Sequence, residues 1–170
     1  MRYPTDPEYK LDLWRLSLIL GVIFCFWLFD SVQVSAQSIN DLKEELQQLS
    51  KRPNYANDTV YLSKANELGF LLAETNPDSA FQFLDNQLAL CRKAGFKKGE
   101  SDALKIYGNA LQNKGDFASS LSYYQDALLI AEGLENKSLV PGILNNIGLV
   151  HYNLGNYAEA LSKFYEAIKG

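Results

Sequence analysis

The chain has 170 residues, of which 47% are hydrophobic and 21% are charged, and its formal net charge is −4. This length allows one domain of ordinary size with a packed core. A mildly acidic chain lacks the basic stripe that neutralises phosphates, so we do not expect nucleic acid as a partner. The two cysteines, Cys25 and Cys91, are too few for a disulfide framework or a cysteine metal cluster.

The N-terminus carries an uncharged apolar run, residues 16–29, directly after Arg15. A helix of this length covers about 20 Å, which is short of the roughly 30 Å hydrocarbon core of a bilayer. The small-residue spacing of a signal peptidase site follows at Val34-Ser35-Ala36. We therefore predict that residues 1–36 are a signal peptide and that the chain is exported, to the periplasm or another extracytoplasmic space. The alternative is an uncleaved signal anchor, which would leave the rest of the chain facing outward as well.

Residues 37–57 are predicted to form one helix and a linker. Apolar residues recur at helical spacing at Ile39, Leu42, Leu46 and Leu49. The polar segment 52–57 interrupts this pattern, and Asp58 or Thr59 can cap the helix that follows. We expect this first helix to cover one end of a helical stack.

From residue 58 onward the chain resembles itself, most clearly at an offset of 40 residues, between segments 101–130 and 141–170. The identical pairs are Leu104/Leu144, Gly108/Gly148, Asn113/Asn153, Gly115/Gly155, Ala118/Ala158, Leu121/Leu161, Ser122/Ser162 and Ala127/Ala167. Gly108 and Gly148 are expected within a helix, where glycine costs about 1 kcal/mol relative to alanine. Such glycines indicate that another helix packs closely at these positions.

The same alignment predicts a turn between two helices in each repeat. Gly115 and Gly155 are expected to end a helix in the left-handed conformation, and Asp116 and Asn156 can cap the next one. A small residue, an aromatic residue and an alanine then share one helical face, at Ser120, Tyr124 and Ala127 and at Ala160, Phe164 and Ala167. The unit is a helical hairpin that has to stack on others to bury its apolar face.

These residues resemble the tetratricopeptide repeat family, whose pattern is an apolar–glycine pair with an aromatic residue and then A-x3-F-x2-A. Ile147-Gly148 and Tyr107-Gly108 carry the pair, and a divergent copy lies at Leu68-Gly69. The period of 40 and the absence of the usual late proline are similar to a subtype with longer helices. The resemblance implies an all-α solenoid of α-α hairpins with a right-handed superhelix. It would cover residues 58–170, in hairpins at about 58–95, 99–135 and 138–170, the last incomplete.

Catalytic residues are not evident in the sequence. The single histidine, His151, has no metal-binding or nucleophile motif around it, and we interpret it as a helix-packing or edge residue. Cys91 lies among apolar residues at helical spacing and is expected to be a buried thiol. We therefore expect no enzyme activity, no cofactor and no metal.

The resemblance also implies a binding groove, because the first helix of each hairpin lines the concave face in this family. The implied groove residues are Lys105, Asn109, Gln112, Asn145, Asn146, Leu149 and Tyr152. Asparagine amides both donate to and accept from a peptide backbone. Lys105, Asn109 and Asn146 also resemble part of a clamp that grips a C-terminal carboxylate. The alternative for Asn145 and Asn146 is that they satisfy neighbouring helix ends or face solvent.

The function predicted is a protein–protein interaction scaffold that binds a peptide or protein in this groove. An alternative follows from the export signal and the Leu-Asn-Asn-Ile-Gly motif that ends at Gly148, which resemble the sensory regions of bacterial membrane signalling proteins. There, an output domain such as a histidine kinase, a nucleotide cyclase or a DNA-binding module follows. We expect the chain to be a fragment, with membrane contact only through an uncleaved anchor or a missing downstream segment. Self-assembly through an open end is a third possibility.

Overall fold

A computed structural model describes residues 37–169 of the chain, and the predicted signal segment 1–36 lies outside the described residues. The chain divides after Asn40 into two compact units. Of the first unit only residues 37–40 are described, and they are helical. Within residues 37–169 no helix is both long enough and apolar enough to cross a membrane.

The second unit consists of helices in its described part, residues 41–169. Residues 41–49 are helical and are called α1 here, and a short 3-10 helix, Tyr55–Asn57, follows. The longer helices are α2 (Thr59–Thr75), α3 (Pro77–Lys93), α4 (Lys97–Asn113), α5 (Phe117–Glu132), α6 (Val140–Asn153) and α7 (Tyr157–Lys169). Sequential helices pack as hairpins, and the first helices α2, α4 and α6 also contact one another in that order. The predicted all-α stack of helical hairpins is confirmed.

Short polar side chains cap three of the helices; the caps at Asp58 and Asp116 were predicted from the sequence, and the one at Asn76 was not. The carboxylate of Asp58 accepts a hydrogen bond from a backbone N–H of α2 at 2.8 Å. Asn76 and Asp116 do the same for α3 and α5, at 3.1 Å each. Gly115 and Gly155 have φ angles of +79° and +78°, so the turns within the last two hairpins use the left-handed conformation that glycine adopts without strain.

Two glycine–aromatic contacts hold the last two hairpins together. A Cβ atom added at Gly108 would lie 2.6 Å from the ring of Tyr124, and one at Gly148 would lie 2.6 Å from the ring of Phe164. The hydroxyl of Ser120 also donates to the carbonyl of Gly108 at 2.9 Å. Helices α4 and α5 therefore approach so closely that a methyl group does not fit between them, which confirms the expected role of the mid-helix glycines.

Helix α1 packs through the leucines that the sequence pattern predicts. Leu42, Leu46 and Leu49 are each 7% exposed. On its polar side, the carboxylate of Glu45 lies 3.4 Å from the ammonium group of Lys64 in α2. The apolar face and this ion pair attach α1 to the stack.

The outer face of α7 is apolar and open. Leu161 and Ile168 are 56% and 80% exposed, whereas Leu121 and Leu128, their equivalents in α5, are partly buried against the core that α6 completes. Within the described residues no helix covers α7 as α6 covers α5. Among residues 41–169, the last hairpin is therefore packed against other helices from one side only.

Candidate functional site

Helices α2, α4 and α6 form one continuous face, which we call the first-helix face, and two of its cavities contain predicted groove residues. A third cavity, of about 400 Å³, lies at the start of α4 and shares Ser63 and Glu67 with one of them. The first, the amide cavity, has a volume of about 160 Å³ and is lined by Glu74, Asn109, Gln112, Asn113, Tyr124, Asn146 and Leu149. The second, the α2–α4 cavity, measures about 250 Å³ and is lined by Ser63, Asn66, Glu67, Phe70, Asp102, Lys105 and Ile106. Most of these side chains are polar.

A hydrogen-bond network fixes the orientation of the side chains that line the amide cavity. Asn146 Nδ2 in α6 donates to Asn109 Oδ1 in α4 at 2.9 Å. The hydroxyl of Tyr124 lies 2.8 Å from the same oxygen and 2.9 Å from Gln112 Oε1, and its single hydrogen serves one of them at a time. Burial raises the pKa of Tyr124, so this hydroxyl remains a donor at physiological pH. The buried ring thereby fixes amides that belong to two hairpins.

The structure brings four of the seven predicted groove residues together. Asn109, Gln112, Asn146 and Leu149 line the amide cavity. Lys105 lies in the α2–α4 cavity instead. The three residues that resemble a carboxylate clamp are therefore not assembled in one cavity.

Asn145 and Tyr152 are exposed and line neither of the two cavities. The ring of Tyr152 packs edge-on against Tyr157, with 5.5 Å between the ring centroids. Each residue is rotated by about 100° along a helix relative to its neighbour. This rotation separates exposed Asn145 from half-buried Asn146, so only Asn146 lines the amide cavity, and the groove assignment of Asn145 stays a prediction.

The amide cavity and the α2–α4 cavity are acidic. Together they are lined by three carboxylates, Glu67, Glu74 and Asp102, and one ammonium group, that of Lys105. Lys105 Nζ lies 2.7 Å from Asp102 Oδ1, so its charge is already paired. Lys64, at the edge of the face, is shared between Glu67 at 3.3 Å and Glu45 at 3.4 Å. An anionic ligand would meet more negative than positive charge here.

Helix α2 contributes cavity residues that were not among those predicted from the sequence. Asn66 is 1% exposed, and its Nδ2 donates to the carbonyl of Gly99 in α4 at 2.9 Å. Its Oδ1 is buried and accepts no hydrogen bond from the protein. Phe70, one turn further along α2, is 41% exposed beside it. The Leu68-Gly69 pair between them was the available signal, because it fixes the register of α2.

Reactive groups outside these cavities are few among the described residues. His151 is half-buried, and its Nδ1 has no hydrogen-bond partner in the protein. Burial raises the pKa of the Cys91 thiol to about 11, which disfavours the nucleophilic thiolate. Residues 37–169 contain no group of three or more histidine, cysteine or acidic side chains that could hold a metal ion. The chemistry that the first-helix face offers is hydrogen bonding and charge.

Comparison with known proteins identifies the repeat. Residues 99–170 match the Tetratricopeptide repeat family. The chain is also similar to the Photosystem I assembly protein Ycf3 of Acaryochloris marina (strain MBIC 11017), with 36% identity over 70 residues. That alignment covers 40% of this chain and 40% of the relative, so the chain spans less than half of the curated relative's length. The segment that matches the tetratricopeptide repeat family, residues 99–170, includes both glycine–aromatic contacts, so the last two hairpins are similar to this family in sequence and in packing.

Proposed function

We propose that this chain is a protein-interaction scaffold whose first-helix face binds an extended segment of a partner protein. Stacked helical repeats create long surfaces that serve for binding. The observation that carries the proposal is the amide cavity, in which Asn109, Gln112 and Asn146 from two hairpins converge. Side-chain amides carry both donors and acceptors, as the backbone of an extended peptide does.

Apolar surface lies beside the amides of the first-helix face. Leu149 and Phe70 are 40% and 41% exposed, one at each cavity. A segment lying across the face would place successive side chains against these apolar surfaces while its backbone meets the amides.

The similarity to Ycf3 supports a role of this kind, because that protein is named for the assembly of photosystem I. For the present chain we propose the more general role of holding segments of other proteins in place.

Selection of binders from a random peptide library on the immobilised chain tests the proposal. For a selected peptide, Leu149→Ala should lower the affinity roughly fivefold, because it removes about 1 kcal/mol of apolar contact. Gln112→Ala should lower it similarly. Leu129→Ala, at a 72% exposed position of α5, is the matched control and should change nothing. If all three variants bind equally well, the first-helix face is not the binding surface.

Export is a further part of the proposal, supported by the apolar run 16–29 and the Val34-Ser35-Ala36 site. A C-terminal fusion to a reporter enzyme that needs disulfides would be active only in an oxidising compartment. Mass spectrometry of the recovered protein should show a new N-terminus at Gln37. A fusion that stays inactive and retains residues 1–36 would rule out export.

A sensory receptor is the second candidate function, supported by the apolar run 16–29 together with the Leu-Asn-Asn-Ile-Gly motif that ends at Gly148. In that case the array would bind the signal and an output domain encoded downstream would respond. Reading the gene beyond Gly170 tests this candidate. A second apolar segment followed by such a domain would support it, and an immediate stop codon would exclude it.

A further inference from the structure

We propose that the α2–α4 cavity is a subsite for a cationic side chain, an arginine, of the segment that binds the first-helix face. This inference rests on the proposed function and adds the chemistry of the ligand. It starts from Asn66, whose buried Oδ1 accepts no hydrogen bond from the protein although the residue lines an open cavity.

The orientation of the Asn66 amide is determined by its neighbour. Its Nδ2 donates to the carbonyl oxygen of Gly99 at 2.9 Å. A rotated amide would place Oδ1 against that carbonyl, and two acceptors repel each other. The free atom is therefore an acceptor, and a ligand that satisfies it has to present an N–H or O–H donor.

The rest of the lining adds further acceptors. Ser63, Glu67 and Asp102 border the same cavity. Asp102 Oδ1 forms an ion pair with Lys105, and Glu67 Oε2 forms one with Lys64. A carboxylate has about four lone-pair sites, so both can accept further hydrogen bonds. A guanidinium group, with five N–H donors and no acceptor, matches such a lining better than a neutral amide does.

Apolar surface in the cavity suits the remainder of an arginine side chain. The ring of Phe70 is 41% exposed and offers a face for a cation–π contact. Ile106, 2% exposed, lies beneath and can contact the aliphatic stem.

Lys105 is a competitor of this cation and not part of its binding site. Its pair with Asp102 lies three residues along one helix, and the two side chains are 24% and 30% exposed. Ion pairs of this type contribute little to stability. An arriving guanidinium can therefore share the Asp102 carboxylate with Lys105 or displace the lysine from it. Removing the Lys105 charge should therefore strengthen binding of arginine, whereas in a carboxylate clamp the same change would weaken binding.

N-acetyl-arginine amide is the probe, and N-acetyl-citrulline amide, which has a similar shape and no charge, is its control. Each is titrated into the full-length chain and followed by the chemical shifts of the Asn66 side-chain amide. Arginine should bind saturably, and citrulline at least about tenfold more weakly, as expected for charge-assisted hydrogen bonds. Equal shifts with both probes would overturn the proposal.

Surface variants provide the second test, and circular dichroism shows whether each is folded. Asp102→Asn should weaken binding of the arginine probe about tenfold, and Lys105→Met should strengthen it several-fold. Asp126→Asn, at an exposed position of α5, is the matched control and should have no effect. Weaker binding in Lys105→Met would contradict the subsite.

The outcomes separate this inference from the proposed function. Library peptides that respond to Leu149→Ala, combined with no preference for arginine over citrulline, would leave the scaffold standing without the cationic subsite. Arginine binding without any peptide that responds to Leu149→Ala would retain the subsite alone.

Discussion

An alanine at position 108 would place its methyl group inside the space of the Tyr124 ring. The added Cβ atom would lie 2.6, 2.7 and 3.0 Å from three ring carbons. The ring is fully buried, and the hydrogen bonds of its hydroxyl prevent it from turning away. Overpacking of this kind costs typically 1–3 kcal/mol, and three contacts this short place Gly108→Ala at the upper end. The higher helix propensity of alanine offsets about 1 kcal/mol of this cost, so we expect the free energy of unfolding to fall by about 2 kcal/mol.

Alanine substitutions at two other glycines provide a comparison for the expected effect of Gly108→Ala. Gly148→Ala would meet the ring of Phe164 at a similar distance, but that ring is only half-buried, in the hairpin whose outer face is open. It can move, and we expect a loss of no more than about 1 kcal/mol. Gly142, in the first turn of α6, has no atom within 4 Å of an added Cβ. Gly142→Ala should therefore stabilise the chain by roughly 0.5–1 kcal/mol.

Urea unfolding followed by circular dichroism measures all three variants. With a slope of about 2 kcal/mol per molar, Gly108→Ala should lower the unfolding midpoint by about 1 M. The double variant Gly108→Ala, Tyr124→Leu should cost less than the sum of its parts, because the smaller side chain relieves the overlap. The reasoning is refuted if Gly108→Ala is as stable as the wild type while Gly142→Ala is stabilised, because helix propensity would then outweigh the contact.

Three further predictions concern single side chains. In a Cys25→Ser variant, Cys91 should react with iodoacetamide about 100-fold more slowly in the folded chain than in urea near pH 8. The reason is that burial raises the pKa of its thiol from 9.0 to about 11. Equal reaction rates in the two states would contradict this. Burial alone would raise the pKa of Glu100, but hydrogen bonds from Lys97 and Arg92 outweigh it and lower the pKa. The stability that Glu100 contributes is therefore present above its unfolded pKa and lost as the pH falls through the lowered value. Glu100→Gln should cost about 1–2 kcal/mol near neutral pH and progressively less in acid, and a cost that stays constant in urea titrations across pH would refute this. Asp116→Ala removes the cap of α5 and should cost about 1 kcal/mol in the same assay, whereas Asp126→Ala should cost almost nothing.

The hairpin core was predictable because a few contacts repeat along the chain. A glycine inside a helical pattern is unfavourable by itself, so its recurrence at positions 108 and 148 indicates a close contact. The aromatic residues that fill this contact, Tyr124 and Phe164, recur at the same offset. Sequence spacing was sufficient here because both partners lie within one hairpin and are joined by a short turn.

The site was predictable only in part, because its cavities lie between hairpins. The register within α4 and α6 brings Asn109 and Asn146 to one cavity, but sequence spacing does not show that they form a hydrogen bond with each other. The i,i+3 spacing of Asp102 and Lys105 permitted the ion pair that neutralises the predicted clamp lysine. Asn66 could not be predicted because the first repeat diverges from the other two. The free acceptor of Asn66 also depends on the backbone of the following hairpin.

The shared oxygen of Asn109 has a consequence for how a ligand would be received. Because the Tyr124 hydroxyl and the Asn146 amide both point to it, the rotamers of the amide cavity are set by the same buried ring that packs on Gly108. Ordering a flexible side chain at an interface costs about 0.5–1.5 kcal/mol. Here the side chains are already ordered in the folded chain, so binding does not carry this cost. The cavity is preorganised, so a partner segment would encounter amides already oriented in space, and its affinity would depend on complementarity to a fixed pattern of donors and acceptors.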